Sequence, residues 1–167
     1  MTGKTHLLGG VLFGGAYIIL TKSVNEMPYI LAASAVGSLL PDIDHPGSTI
    51  SKKNLATKFT SEIVSGMTKH RGFTHTVLFA AIVAALPLLI KNIIGSIAVP
   101  IAIGLFVGII SHLFLDTLNP TGIMWLYPFS RKYFHLMKIK TNTFNETLFF
   151  IILFAGTLGM YKFNFDF

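Results

Sequence analysis

The run Pro100-Ile101-Ala102-Ile103-Gly104-Leu105-Phe106-Val107-Gly108-Ile109-Ile110-Ser111-His112-Leu113-Phe114-Leu115-Asp116 decides the fold. It is apolar over several helical turns and then ends in an imidazole and a carboxylate. Pro100, Gly104, Gly108, His112 and Asp116 recur every four residues, so they share nearly one helix face. The row drifts slowly, because four residues slightly exceed one turn. Glycines four apart let membrane helices approach closely. The small-residue face therefore points the way its two ionisable groups point.

Two other segments carry rows of this kind. One is His6, Gly10 and Gly14; the other is Ser34, Ser38 and Asp42. Apolar segments fall at roughly 6–21, 28–41, 73–90, 93–115 and 145–161. The expected packing brings the first, second and fourth helices together on one polar site. The third and fifth, which lack such a row, are expected to lie more loosely around it. A bilayer crossing takes about 20 residues, which leaves the second segment short. Pro87 and Pro100 are expected to interrupt two of the helices, as buried transmembrane helices tolerate.

Composition fits this reading. The hydrophobic fraction is 52%, mean hydropathy is +0.66, and only 12% of residues are charged, against about 25% in ordinary soluble domains. A soluble helical bundle is disfavoured, because the apolar runs are too long and too numerous. The expected fold class is all-α: an integral membrane bundle of about five transmembrane helices, with a metal site at the cytoplasmic membrane surface. Residues 1–167 read as one domain. The first apolar stretch lacks a small-residue cleavage site after Thr21-Lys22-Ser23, so it reads as a retained helix.

Five crossings would place ten of the thirteen Lys and Arg on the side of the N-terminus, the 42–72 loop and the 116–144 loop. Lys22, Lys91 and Lys162 fall on the other. The positive-inside rule makes the first side cytoplasmic. The chain would then sit in the cytoplasmic (inner) membrane, with its N-terminus and site facing the cytoplasm.

The same topology gathers the ionisable clusters at that surface. They are His6, Pro41-Asp42-Ile43-Asp44-His45, His70-Arg71-Gly72-Phe73-Thr74-His75, and His112 with Asp116. Ionisable groups at membrane depth persist where they pair, bind metal or line a polar cavity. There are no cysteines, so a metal must use His and carboxylate, which suits zinc, manganese or iron better than copper(I) or iron–sulfur. Asp42 and Asp44 would repel each other unless one is protonated or a cation lies between them. His70 is expected before the third helix and His75 inside its first turn.

The candidate ligands are His6, Asp42, Asp44, His70, His75, His112 and Asp116. One zinc takes three or four protein ligands, so seven point to two divalent ions, zinc first and manganese second. Asp44 would bridge the ions or orient water. Arg71 and Lys69 are candidate phosphate binders, Arg71 through its planar fork. Glu146 is either a ligand or general base, or a charge favouring a helix N-terminus. His45 can point to the site or to solvent, and His135 reads as a surface residue. Asn119-Pro120-Thr121-Gly122, followed by Trp125 and Tyr127-Pro128, reads as a turn with interfacial aromatics at a substrate entrance. No serine nucleophile elbow, HExxH motif or phosphate-cradling glycine loop is present.

These motifs in order resemble the membrane-bound metal-dependent hydrolases of the YdjM-like, LexA-regulated family. The matching residues are His6, Leu40 to His45, His70 to His75, His112 to Asp116, then Gly122, Pro128 and Glu146. The resemblance implies a metal-dependent hydrolase. A fainter likeness to the all-helical zinc-dependent phospholipases C and P1-type nucleases, which also use an early His, an Asp and a helical His-x-x-x-Asp pair, implies phosphoester chemistry. The expected substrate is a phospholipid or other lipid phosphate at the cytoplasmic leaflet. Two other classes compete: a metal or proton transporter, and a scaffold with a structural metal. Nucleic acid is not an expected partner, since the basic residues lie at the membrane surface. The oligomeric state is not legible.

Overall fold

A computed structural model describes residues 1–44 and 72–165, the side chains of Asp44 and Phe165 excepted. Its main elements are α1 (Gly3–Thr21), α2 (Met27–Gly37), α3 (Val77–Leu89), α4 (Ala98–Thr117) and α5 (Phe144–Phe165). Among the described residues there is no strand, only a lone antiparallel pairing of Ile123 with Phe134. The expected all-α class with five main helices is therefore observed.

Local chemistry sets the helix boundaries. α1 stops where Lys22 turns left-handed at φ 57°. α2 follows a 3-10 turn, has Pro28 in its first turn, where no amide partner is lost, and runs into a second 3-10 turn, Leu40–Asp44. Thr76 caps α3, its Oγ1 accepting from the Phe79 amide at 3.0 Å. The Val77 amide, which no helical carbonyl can satisfy, donates to the Trp125 carbonyl at 3.0 Å. Pro87 lies within α3. Pro100 instead falls in the first turn of α4, so the expected interruption does not occur there: the missing amide would have had no partner anyway.

Among the described residues, three helical stretches are long and apolar enough to cross a membrane: Gly3–Thr21, Lys91–Thr117 and Phe144–Asn164. α2, with 11 residues, and α3, with 13, are shorter. At 1.5 Å per residue they reach about 16 and 20 Å, against about 30 Å of hydrocarbon.

The expected convergence of α1, α2 and α4 is observed, and glycine makes it possible. A Cβ on Gly10 would stand 2.6 Å from the Ser34 carbonyl oxygen, and one on Gly104 would stand 2.6 Å from that of Ile30. A Cβ on Gly108 would run into the Ser34 carbonyl. Ser34 Oγ donates to the Gly10 carbonyl at 2.7 Å, an interhelical bond worth about 0.6 kcal/mol in membranes.

α3 departs from the expectation. It packs closely along α4, with Ala80 buried against Ile109 and Leu113, and with Phe79 and Val83 closing over them. The small Ala80 sits at the centre of this contact, with Ala84 one turn on, but no ionisable group ends that row. α5 does lie at the edge. It meets α1 where Gly15 faces Tyr161 and Met160, and Tyr161 donates to the Val11 carbonyl at 3.2 Å.

A candidate metal centre at one end of the bundle

α1 contributes His6 from its first turns, and α4 contributes His112 and Asp116 from its last. Asp42 comes from the 3-10 turn after α2. His75 ends a 3-10 turn, Phe73–His75, that precedes α3; it was expected inside α3, but Thr76 is extended and the helix starts only after it. The rings of His6, His75 and His112 are wholly buried, as is Asp116. Asp42 is partly exposed, with a fifth of its side chain accessible, and forms the open edge.

The nitrogens face one another across a small space. His112 Nε2 lies 3.3 Å from His75 Nε2. Asp42 Oδ1 stands 3.7 Å from each of these nitrogens. Asp116 Oδ2 is 3.7 Å from His75 Nε2 and 4.0 Å from His112 Nε2. His6 stacks on His112 with centroids 3.7 Å apart, and its Nε2 is 3.4 Å from Asp116 Oδ1. The same Oδ1 accepts from the Met1 ammonium at 2.9 Å.

Two observations test whether this donor set fits a cation. His112 Nδ1 donates to the Ser38 carbonyl at 2.7 Å, which fixes the tautomer and leaves the Nε2 lone pair aimed at the centre, as in metal-ligating histidines. His6 Nδ1 is buried with no hydrogen bond, and its Nε2 meets only Asp116 Oδ1, at 3.4 Å; a buried ring nitrogen left without a partner is costly. Spacing agrees too. Metal bonds of about 2.0–2.1 Å in a tetrahedron place ligand atoms about 3.3–3.4 Å apart, close to the shorter separations here. The residues fit a divalent cation. The ligand atoms of His6, Asp42 and His112, and those of His75, His112 and Asp116, form two groups, each within 4.8 Å. They share His112, so the five residues make one contiguous cluster. Asp42 lies outside the spanning helices. Burial pushes its carboxyl up, but His75 beside it and the potential of His112 and His6 hold it well below the usual carboxylate range.

Of the seven expected ligands, five meet: His6, Asp42, His75, His112 and Asp116. The Asp44 side chain, Lys69, His70 and Arg71 lie outside the described residues, as does His45. Glu146 belongs to neither ligand group. It is buried, and its Oε1 accepts from the Thr2 amide and from Thr5 Oγ1. Its Oε2 accepts from the Asn142 amide at 2.7 Å. It ties the start of α5 to the turn of α1 that carries His6. His135 is exposed. Sequence reasoning did not identify the Ser38 carbonyl or Thr74, whose Oγ1 lies 3.1 Å from His75 Nδ1. Backbone partners leave no residue-type signal, although Ser38 does stand in the row that ends at Asp42.

Fold and cluster together define an integral membrane helix bundle with a buried His and Asp centre at one end. The chain belongs to the YdjM inner membrane protein family, which it matches over residues 1–165. It is 37% identical over 152 residues to the Bacillus subtilis (strain 168) protein YvsG, covering 89% of this chain and 86% of that one. It is 30% identical over 138 residues to the inner membrane protein YdjM of Escherichia coli (strain K12), covering 77% and 66%. The Shigella flexneri YdjM aligns equally well. No solved structure matches the chain. Family and apolar helices together support an inner-membrane location.

Proposed function

We propose that this protein is a membrane-bound metal-dependent hydrolase, a phosphoesterase acting on a phospholipid or other lipid phosphate at the cytoplasmic leaflet. The observation that carries this reading is the His75–His112 pair. Two imidazole nitrogens face each other at 3.3 Å, one of them held in the ligand tautomer, with two carboxylates beside them.

His75, His112 and Asp116 would hold a divalent ion, with zinc preferred and manganese second, and Asp42 would approach it through the shared His112. His6 completes the set from the Asp116 side. A second ion would draw on Asp44 and His70. A bound divalent cation supplies a water acidic enough to act at neutral pH and stabilises charge on a phosphoryl group. The chain's own residues do the rest. Ser38 fixes the orientation of His112, and the buried wall of α1 and α4 excludes bulk water. Asp42 leaves the open side by which a headgroup approaches. In this reading Asp44 would orient the water, while Arg71 and Lys69 would bind the phosphate. Glu146 acts through the first turn of α1 and not on the substrate.

One feature favours a hydrolase over an ion pathway. Away from the cluster, the α1–α2–α4 interface is closed by glycine-to-backbone contacts at Gly10, Gly104 and Gly108. A conduit needs polar groups and water along that line.

The test is metal content and lipid-phosphate hydrolysis of detergent-purified protein, wild type beside His112→Ala. One or two ions per chain, with hydrolysis that depends on them and disappears in the variant, is the expected result. No metal regained on adding zinc or manganese would overturn the reading. So would metal uptake into proteoliposomes that depends on His112 without hydrolysis.

A further inference from the structure

The segment between α4 and α5 carries no acid from Asp116 to Glu146. It is pinned back onto the end of α4. Trp125 Nε1 donates to Thr117 Oγ1 at 2.9 Å. The Leu136 amide donates to the Thr117 carbonyl at 2.8 Å, and the Ile139 amide to that of Leu118 at 3.0 Å. Ile123 and Phe134 exchange both backbone bonds. The segment is therefore a strap folded flat against the bundle, not a loop reaching into solvent.

Its side chains point the wrong way for water. Phe129 is 85% exposed, Leu136 69%, and Tyr133, Met137 and Leu126 are each more than half exposed. Arg131, Lys132, Lys138 and Lys140 are exposed among them. Both helices that the strap joins belong to candidate membrane spans, ending at Thr117 and starting at Phe144. Pinned to Thr117 and Leu118, the strap stays at the level where those spans leave the hydrocarbon. Exposed apolar side chains interleaved with cations at that level match an anionic headgroup layer.

We propose that the strap from Leu126 to Lys140 docks on an anionic lipid surface at the end of the bundle that carries the His and Asp centre. Large apolar side chains enter the acyl boundary while Arg131, Lys132, Lys138 and Lys140 engage lipid phosphates. Because Thr117 directly follows Asp116, this seating also sets the depth of the centre relative to the headgroups. The inference stands whether or not the centre is a hydrolase.

The chain has no cysteine, so a single introduced one can carry a probe. Phe129→Cys, and separately Leu136→Cys, would be labelled with an environment-sensitive fluorophore and placed in nanodiscs. In phosphatidylcholine mixed with phosphatidylglycerol, the expected emission is blue-shifted and quenched by nitroxide-bearing lipid. Quenching should fall at least about twofold in pure phosphatidylcholine, and likewise when Lys132→Gln and Lys138→Gln are combined. Water-like emission without quenching at both positions in the anionic discs would overturn the proposal. A blue shift without lipid quenching would also overturn it, since the strap would then be covered by protein, a second copy included.

Discussion

α4 and α5 are two apolar helices of nearly equal length, 20 and 22 residues, and both carry glycine pairs. Their fates differ. In α4, Gly104 and Gly108 press against the backbone of α2, and the helix ends in two buried ionisable groups. In α5, Gly156 and Gly159 have nothing within 4 Å of where a Cβ would stand, and Ile151, Ile152, Phe154 and Leu158 face outward. A glycine pair in an apolar helix thus has no fixed meaning. It marks contact where the face it opens also leads to groups that must be shielded from lipid, and little where it does not.

The comparison is broken most strongly at the end of α4. His112→Ala and Asp116→Ala should each bring lipid-phosphate hydrolysis to background and lower metal content, while the protein still inserts into membranes. Normal hydrolysis by both variants would remove the centre from α4. Chelation of the wild type should have the same effect on activity, reversed by zinc or manganese. Activity that survives complete chelation would detach it from the His and Asp cluster.

Next comes packing. Gly108→Leu drives a side chain into the Ser34 carbonyl, and overpacking of this kind costs about 1–3 kcal/mol or more. Gly156→Leu meets open space and should stay within about 0.5 kcal/mol. Thermal unfolding in one detergent compares them directly. Equal shifts would mean that the two helices are not distinct in the way described. A smaller effect belongs to Glu146→Gln. The amide keeps one acceptor oxygen for the three donors and loses the charge, so a loss of about 1–2 kcal/mol is expected, roughly 2–8 °C in a chain of this size. The metal stoichiometry should stay as in wild type. Loss of metal equal to that of His112→Ala would make Glu146 a ligand after all.

Much of the fold was legible because the rows that end in His6, Asp42 and Asp116 are periodic, and periodicity survives in a linear sequence. The α1–α2–α4 association follows from it. The packing of α3 on α4 was not legible, because Ala80, Phe79 and Val83 are ordinary apolar residues in an apolar helix. The start of α3 was misplaced by a few residues because a single Thr cap outweighs the apolar pattern around it. At the site, residue types named the candidate ligands. They could not separate Glu146, which braces α1, from Asp116, which faces the imidazoles, since both are carboxylates near a helix end.

The sequence by itself determined that this chain is an apolar helical membrane protein with imidazoles and carboxylates at helix ends. Hydropathy and residue spacing are one-dimensional quantities, and both are read directly. Only the tertiary structure decided which of those groups meet, which nitrogen of His112 faces inward, and that the strap after α4 lies flat against the bundle end. Those outcomes depend on distances of 3–4 Å between residues more than a hundred positions apart, as His6 and Asp116 are, and on backbone carbonyls that every residue carries alike.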